Sequence, residues 1–283
     1  MINFMRDFNE ITATEGVLKS FDSIENKRVK ILMGSIVNHL HEVVKETEPT
    51  FEEWLKAIDF LTRTGQKCDE RRQEFILFSD VLGISMLIDT INNRKNNNET
   101  ESTVLGPFHA PAPDIRFGDN IAHHVKGEKC LVKGKVSDIN GKVIPDAIVD
   151  VWQSGPDGLY DVQKENNVVD LRGKMKTNKN GEYFFKTVKP QFYPVPTDGP
   201  VGEILNLMGR HPFRPAHIHF MIKAEGYVDL TTHVFIDGDP YLDSDTVFAV
   251  KESLIRKLND AIDPDDNTQC KELTFDIILE KKK

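Results

Sequence analysis

The stretch RPAHIHF, Arg214 to Phe220, gathers the residue types best suited to chemistry in this chain. On an extended strand successive side chains alternate faces, so His217 and His219 project the same way, roughly 6.6 Å apart, while Ile218 faces the other side. Two imidazoles so placed suit two ligand positions on one metal ion. Arg214 stands just upstream, where a guanidinium can neutralise an anionic ligand. With nine histidines in the chain, an HxH pair also arises by chance, and taken alone it reads more readily as two hydrogen-bonded structural rings. The weight toward a metal comes from the rest of the strand, which is apolar.

A metal would need a third and a fourth ligand. No HExxH, no CxxC and no adjoining HxD or HxE pattern accompanies this strand, as zinc sites or a two-histidine, one-carboxylate iron triad would require. The remaining ligand type is phenolate. Of five tyrosines, two sit in loop-like contexts: Tyr160 in GPDGLYDVQ and Tyr193 in PQFYPVPTDGP. Ionising a phenol at pH 7 costs about 4 kcal/mol, so only a hard, highly charged ion such as Fe(III) would hold one as phenolate. From the residues alone, packing tyrosines whose hydroxyls cap loop carbonyls remain the simpler reading.

These residues must be carried by strands, and the periodicity changes along the chain to supply them. Residues 1–100 read as helical. Ile36, Val37, Leu40, Val43 and Val44 make one helix face, a Thr50/Glu53 capping box opens a second helix that Gly65 stops, and Phe75 to Ile91 reads as one further helix. The polar run Asn92 to Ser102 is too hydrophilic to pack and marks a boundary or an exposed loop. Beyond Val125 the pattern alternates: Cys130, Val132 and Val136, then an Asn140-Gly141 hairpin signal, then Ala147, Val149 and Val151. Asn180-Gly181 precedes Tyr183 to Phe185. Ala216 to Ile222, Thr231 to Ile236 and Leu273 to Leu279 read as strands, with a helix over Val250 to Leu258. Short strands between Gly and Asn turns predict an all-β antiparallel sandwich over residues 101–283.

Composition narrows the function classes. With 283 residues, 36 Lys plus Arg against 45 Asp plus Glu and a net charge of -9, the chain lacks the basic excess that nucleic-acid binding needs. Three scattered cysteines suit a reducing compartment. The N-terminus carries acids among its first ten residues and no apolar h-region, so the expected location is cytoplasmic. The most apolar stretch, Phe75 to Ile88, is interrupted by Asp80 and falls short of the roughly 20 residues a membrane span needs.

Five stretches carry a family resemblance: TGQKCDERRQEFILFSDVLGISMLID, ESTVLGPFHAP, GEKCLVKGKVSDINGKVIPDAIVDVWQSGPDGLYDVQ, FYPVPTDGPVG and GRHPFRPAHIHFMI. Together they resemble the intradiol ring-cleavage dioxygenases, the catechol 1,2-dioxygenase group, from the N-terminal helices to about Lys251. Within it the pattern is most similar to the hydroxyquinol 1,2-dioxygenase branch: His233, in TTHVF, falls where catechol-cleaving members commonly carry Gln. Chlorocatechol enzymes share parts of the pattern.

The resemblance implies a non-haem Fe(III) held by Tyr160, Tyr193, His217 and His219. It implies cleavage of hydroxyquinol between its vicinal hydroxyls with both atoms of O2 incorporated, catechol or chlorocatechol being the alternative substrates. Tyr193 would leave the metal and accept a proton from the diol, Arg214 would stabilise negative charge on the ring, and His233 would hydrogen-bond near the metal. The implied pocket is lined by Leu77, Asp80, Val104, Gly106, Pro107, Phe108, Val195, Pro196, Arg214 and Val247. The helical residues 1–100 would form a homodimer, where members of the family often enclose a phospholipid. Against this stand a metal-free β-sandwich binding module, which leaves the four matching ligand positions unexplained, and a zinc hydrolase, which lacks a recognisable carboxylate base.

Overall fold

The computed structural model describes residue 6 and residues 8–70, 72–95, 97–164 and 168–282. The chain divides into two compact units, one ending at Thr62 and the other beginning at Arg63.

In the first unit, α1 (Ala13–Lys19) precedes α2 (Lys27–Thr47), and α3 (Phe51–Gln66) starts here. Asn26 caps α2 by accepting from the amides of Arg28 and Val29 at 3.0 and 3.1 Å. The expected capping box is present: the Glu53 amide donates to Thr50 Oγ1 and the Thr50 amide to Glu53 Oε2. α2 buries none of its residues, and its apolar stripe of Ile31, Ile36, Leu40, Val43 and Val44 is exposed, as are Phe51, Trp54 and Leu55 of α3.

The second unit opens with α4 (Glu74–Val81) and α5 (Ile84–Asn92). One helix was expected from Phe75 to Ile91. Gly83, at φ +73°, breaks it, its amide turning back to the Asp80 carbonyl. Val81 and Met86 join the core of the strands. The polar run after α5 is not a free loop: the Thr100 amide donates to the Ile278 carbonyl, the Ile278 amide to Thr100 Oγ1, and Glu99 and Ser102 are buried.

Two five-stranded sheets follow. The first is built round β1 (Lys129–Asp138), with β4 (Glu182–Val188) antiparallel on one edge. On its other edge β11 (Gln269–Thr274) and β12 (Ile277–Leu279) run parallel to it, and β10 (Asn259–Ile262) lies outside β11. The second runs β3 (Arg172–Lys176), β2 (Ile148–Gln153), β7 (His217–Lys223), β8 (Leu230–Ile236), β9 (Ile255–Arg256), antiparallel except for β8 with β9. The sandwich is therefore mixed rather than purely antiparallel. Phe220 of β7 meets Tyr183 and Phe185 of β4 and Phe275, and this contact closes one core between the sheets.

One local expectation holds and one changes. Asn140-Gly141 makes the expected hairpin turn: the Asp138 amide donates to the Lys142 carbonyl and the Ile144 amide to the Val136 carbonyl, before the chain crosses to β2 in the other sheet. The helix expected over Val250 to Leu258 is a single 3-10 turn at Glu252–Leu254 followed by β9. The open edge of β8 takes up its backbone hydrogen bonds, pairing Phe235 with Ile255, which outweighs the helical spacing of its apolar residues.

Candidate active site

The site stands on the face of β7 turned away from the core. Ile218, Phe220 and Ile222 are fully buried between the sheets, and strand alternation then puts His217 and His219 on the opposite face. Neighbouring strands complete their surroundings. Trp152 of β2 and His233 of β8 both lie in register with His219. The Trp152 indole stacks on the His219 ring at 4.6 Å, with 14° between planes, and the His233 ring centroid is 4.1 Å away. Gly106, at φ +75°, lets the main chain pass close by, since a Cβ there would stand 3.3 Å from His219 Cε1.

Tyr160 arrives from the loop after β2, and Tyr193 from β5 (Tyr193–Pro194), which pairs with β6 (Phe213–Arg214) so that Tyr193 faces Arg214. Tyr160 Oη lies 2.9 Å from His219 Nε2, 3.3 Å from His217 Nε2 and 3.3 Å from Tyr193 Oη, and the two Nε2 atoms are 3.2 Å apart. His217 Nδ1–H donates to the Pro215 carbonyl at 2.7 Å, which fixes the tautomer that leaves Nε2 as acceptor. Ligands bound at about 2.0–2.1 Å to a common ion with near-right-angle separations stand about 3 Å apart. Tyr160 Oη and the two Nε2 atoms have about that spacing, and Tyr193 Oη stands 3.3 Å from Tyr160 Oη, a set of two phenols and two imidazoles that could hold a metal ion.

The electrostatics agree. Burial, reinforced by Arg214, holds His217 well below the ordinary histidine range, and burial with the neighbouring rings does the same to His219. Both rings are held neutral. Burial and the adjacent Tyr193 raise the Tyr160 phenol well above its usual range, so it ionises only when a strong positive charge arrives. Burial works against the Arg214 charge, but the Asp245 carboxylate and the two phenols outweigh it and raise its pKa. Arg214 Nη1 lies 3.4 Å from Tyr193 Oη and 3.5 Å from His217 Nε2, and its Nε donates to Asp245 Oδ1 at 3.2 Å.

A cavity of about 840 Å³ reaches this cluster. Leu77, Asp80, Val104, Gly106, Pro107, Phe108, Val195, Pro196 and Val247 all line it, together with Tyr193 and Arg214. Tyr160, His217 and His219 are buried behind the wall. His233 is buried too, its Nδ1 paired with Thr103 Oγ1. The carboxyl of Asp80 is pushed up by burial, against the pull of Ser85 and Arg214.

Three contributors went unseen in the sequence. Asp245 was not singled out, although a buried arginine requires an anion nearby. Trp152 becomes visible only once β2 and β7 are in register. Thr103 lies in a segment without strand or helix character and has no sequence signal.

A two-sheet β-sandwich with a buried pair of phenols and a pair of neutral imidazoles at the foot of a cavity is the architecture of a metalloenzyme. The model described as "Dioxygenase" matches residues 113–281, and "Catechol dioxygenase N terminus" matches residues 26–100. The chain is 51% identical over 251 residues to a hydroxyquinol 1,2-dioxygenase of Rhizobium sp. (strain MTP-10005), covering 88% of this chain and 85% of that one. It is 47% identical over 277 residues to a 6-chlorohydroxyquinol 1,2-dioxygenase of Cupriavidus pinatubonensis, covering 97% and 99%. The crystal structure of a hydroxyquinol 1,2-dioxygenase from Pseudomonas putida DLL-E4 superposes with a TM-score of 0.92 at 44% identity over 96% of this chain and 99% of that one. The chain belongs to the intradiol ring-cleavage dioxygenase family.

Proposed function

We propose that this protein cleaves hydroxyquinol between its vicinal hydroxyls, incorporating both atoms of O2 to give 3-hydroxy-cis,cis-muconate and its keto form, maleylacetate. The observation that carries the reading is the convergence of Tyr160, Tyr193, His217 and His219 within 3.3 Å neighbour distances at the foot of a cavity. Ferric iron bound by these four would draw electron density from the diol and so make a ring carbon reactive toward O2.

The side chains divide the remaining work. Tyr160, His217 and His219 lie behind the wall and keep their places. Tyr193 faces the cavity, where its oxygen would accept a diol proton. Arg214 keeps its charge in the buried wall, so it stabilises negative charge on the ring without moving a proton. Leu77, Val104, Pro107, Phe108, Val195 and Pro196 hold the ring, with Gly106 and Val247 leaving it room. Asp80 offers a polar contact for the third hydroxyl, and the relatives named for hydroxyquinol and 6-chlorohydroxyquinol support that substrate class over catechol. His233 steadies the rings of His217 and His219. The exposed apolar faces of α2 and α3 support residues 1–100 as a homodimerisation region with room for a phospholipid, and residues 101–283 as the catalytic domain. A cytoplasmic location suits the free cysteines.

The test is direct. Iron-loaded protein should be red-brown from phenolate-to-iron charge transfer, and should consume one O2 per hydroxyquinol, with both labelled atoms of 18O2 found in the product. A preparation that stays colourless after iron loading ends the reading, and faster cleavage of catechol than of hydroxyquinol ends the substrate assignment.

A further inference from the structure

Tyr160 and Phe108 come from separate loops, yet their rings stack at 4.5 Å with 24° between planes. One side chain outside the cavity joins the two loops. Arg172, at the start of β3 and 3% exposed, donates from Nε to Asp161 Oδ2 at 2.7 Å and from Nη2 to Asp161 Oδ1. The same guanidinium donates from Nη1 to the Ala110 carbonyl at 3.2 Å and from Nη2 to the Phe108 carbonyl at 3.3 Å. Asp161 directly follows Tyr160, and its carboxylate also accepts from the amides of Val162 and Asp170. The Tyr160 amide is itself held by Gln163 Oε1 at 2.8 Å. Only a planar fork with several donors makes all these bonds at once, and an ammonium at that point cannot.

We propose that Arg172 is a positioning residue of the reaction. It locks the Tyr160 loop to the Phe108–Ala110 wall, and so sets both the direction of Tyr160 Oη toward His217 and His219 and the place of Phe108 in the substrate cavity. This rests on the reading of Tyr160 as an iron ligand. Contact with the reacting atoms is not required of Arg172, because its influence passes through Asp161 on one side and two carbonyls on the other. A misplacement of about 1 Å at such a support costs on the order of a hundredfold in rate.

The experiment compares iron-loaded full-length wild type with Arg172→Lys and Asp161→Asn. Folding is read by far-UV circular dichroism, metal by iron content, ligand geometry by the phenolate-to-iron absorption band, and pocket geometry by KM and kcat with hydroxyquinol. Folded variants should show a shifted and weakened band together with a KM raised about tenfold or more. A purely structural role would lower the melting temperature and leave band and KM where they were, and that result overturns the proposal. If Arg172→Lys fails to fold, Asp161→Asn decides; if neither folds, the pair is a folding element and the proposal falls. A wild type without the band removes the iron reading itself, whereas a wild-type band with unchanged variants removes only the role of Arg172.

Discussion

The Nε2 atoms of His217 and His219 face each other across 3.2 Å, and the Pro215 carbonyl takes the one proton that His217 carries. A neutral ring so held points a lone pair at its neighbour. The Tyr160 hydroxyl, near both nitrogens, has a single proton and can satisfy one of them. Arg214 Nη1 approaches His217 Nε2 only to 3.5 Å, so a cation bound among the four groups would satisfy their lone pairs together.

Iron binding should therefore release protons. Tyr160 and Tyr193 must both ionise to act as ligands, so about two protons should appear per ferric ion, and the apparent affinity should fall about tenfold per proton for each unit of pH lost. A pH-stat titration of weakly buffered metal-free protein with a ferric chelate, corrected for the chelate alone, measures this. Tyr160→Phe should release about one proton fewer and lose most of its iron. Release that is independent of Tyr160 would refute its role as a ligand.

The metal-free protein should lose stability as pH falls through the histidine range. Burial, the first cause in each case, lowers the pKa values of His217, His219 and His233 well below 6.5 in the folded chain. Below 6.5 the unfolded chain takes up protons that the folded one refuses, so this stability is complete above pH 6.5 and drains away beneath it. Urea midpoints between pH 8 and pH 5 should drop with a slope approaching three protons, and iron-loaded protein should resist. His233→Gln should reduce the slope by about one proton.

Removing Asp245 should cost more than its distance from the chemistry suggests. It is the carboxylate partner of buried Arg214, and the amides of Val247 and Ala249 hold it at 3.3 and 3.0 Å. Asp245→Ala leaves a guanidinium charge uncompensated in the interior, worth about 3–5 kcal/mol of stability, and Asp245→Asn should cost less. Denaturant unfolding gives the magnitude. Turnover should fall with it, because Arg214 would lose the anchor that aims it between Tyr193 and His217.

Gly106→Ala should disturb the site through the backbone. At φ +75° an L side chain is strained by about 1–2 kcal/mol, and the new Cβ would press on His219 Cε1 from 3.3 Å. Lower iron content with a modest loss of stability is expected, measured by metal analysis and urea unfolding. Gly141→Ala, also at positive φ but with open space around it, provides the control: similar strain, unchanged iron.

Local pattern along the chain was enough for the periodicities and the candidate ligand types. Alternation of apolar residues around HIHF required a strand with both histidines on one face, and that arrangement is present. The capping box at Thr50 and Glu53 also formed as written, because caps depend on neighbours three residues apart. What failed in the sequence depended on distant partners. The segment after Val250 has helical spacing but met an open strand edge at β8, and the polar run to Ser102 found backbone and buried partners that a linear reading cannot see. The same holds at the site. HxH alone leaves roughly 6.6 Å between its side-chain origins, and two loop tyrosines alone suggest packing. Only tertiary structure brought four donor atoms within 3.3 Å neighbour distances, set Asp245 against Arg214, and laid Trp152 on His219. Those contacts span from two residues to more than fifty along the chain, and strand register together with close packing decides them.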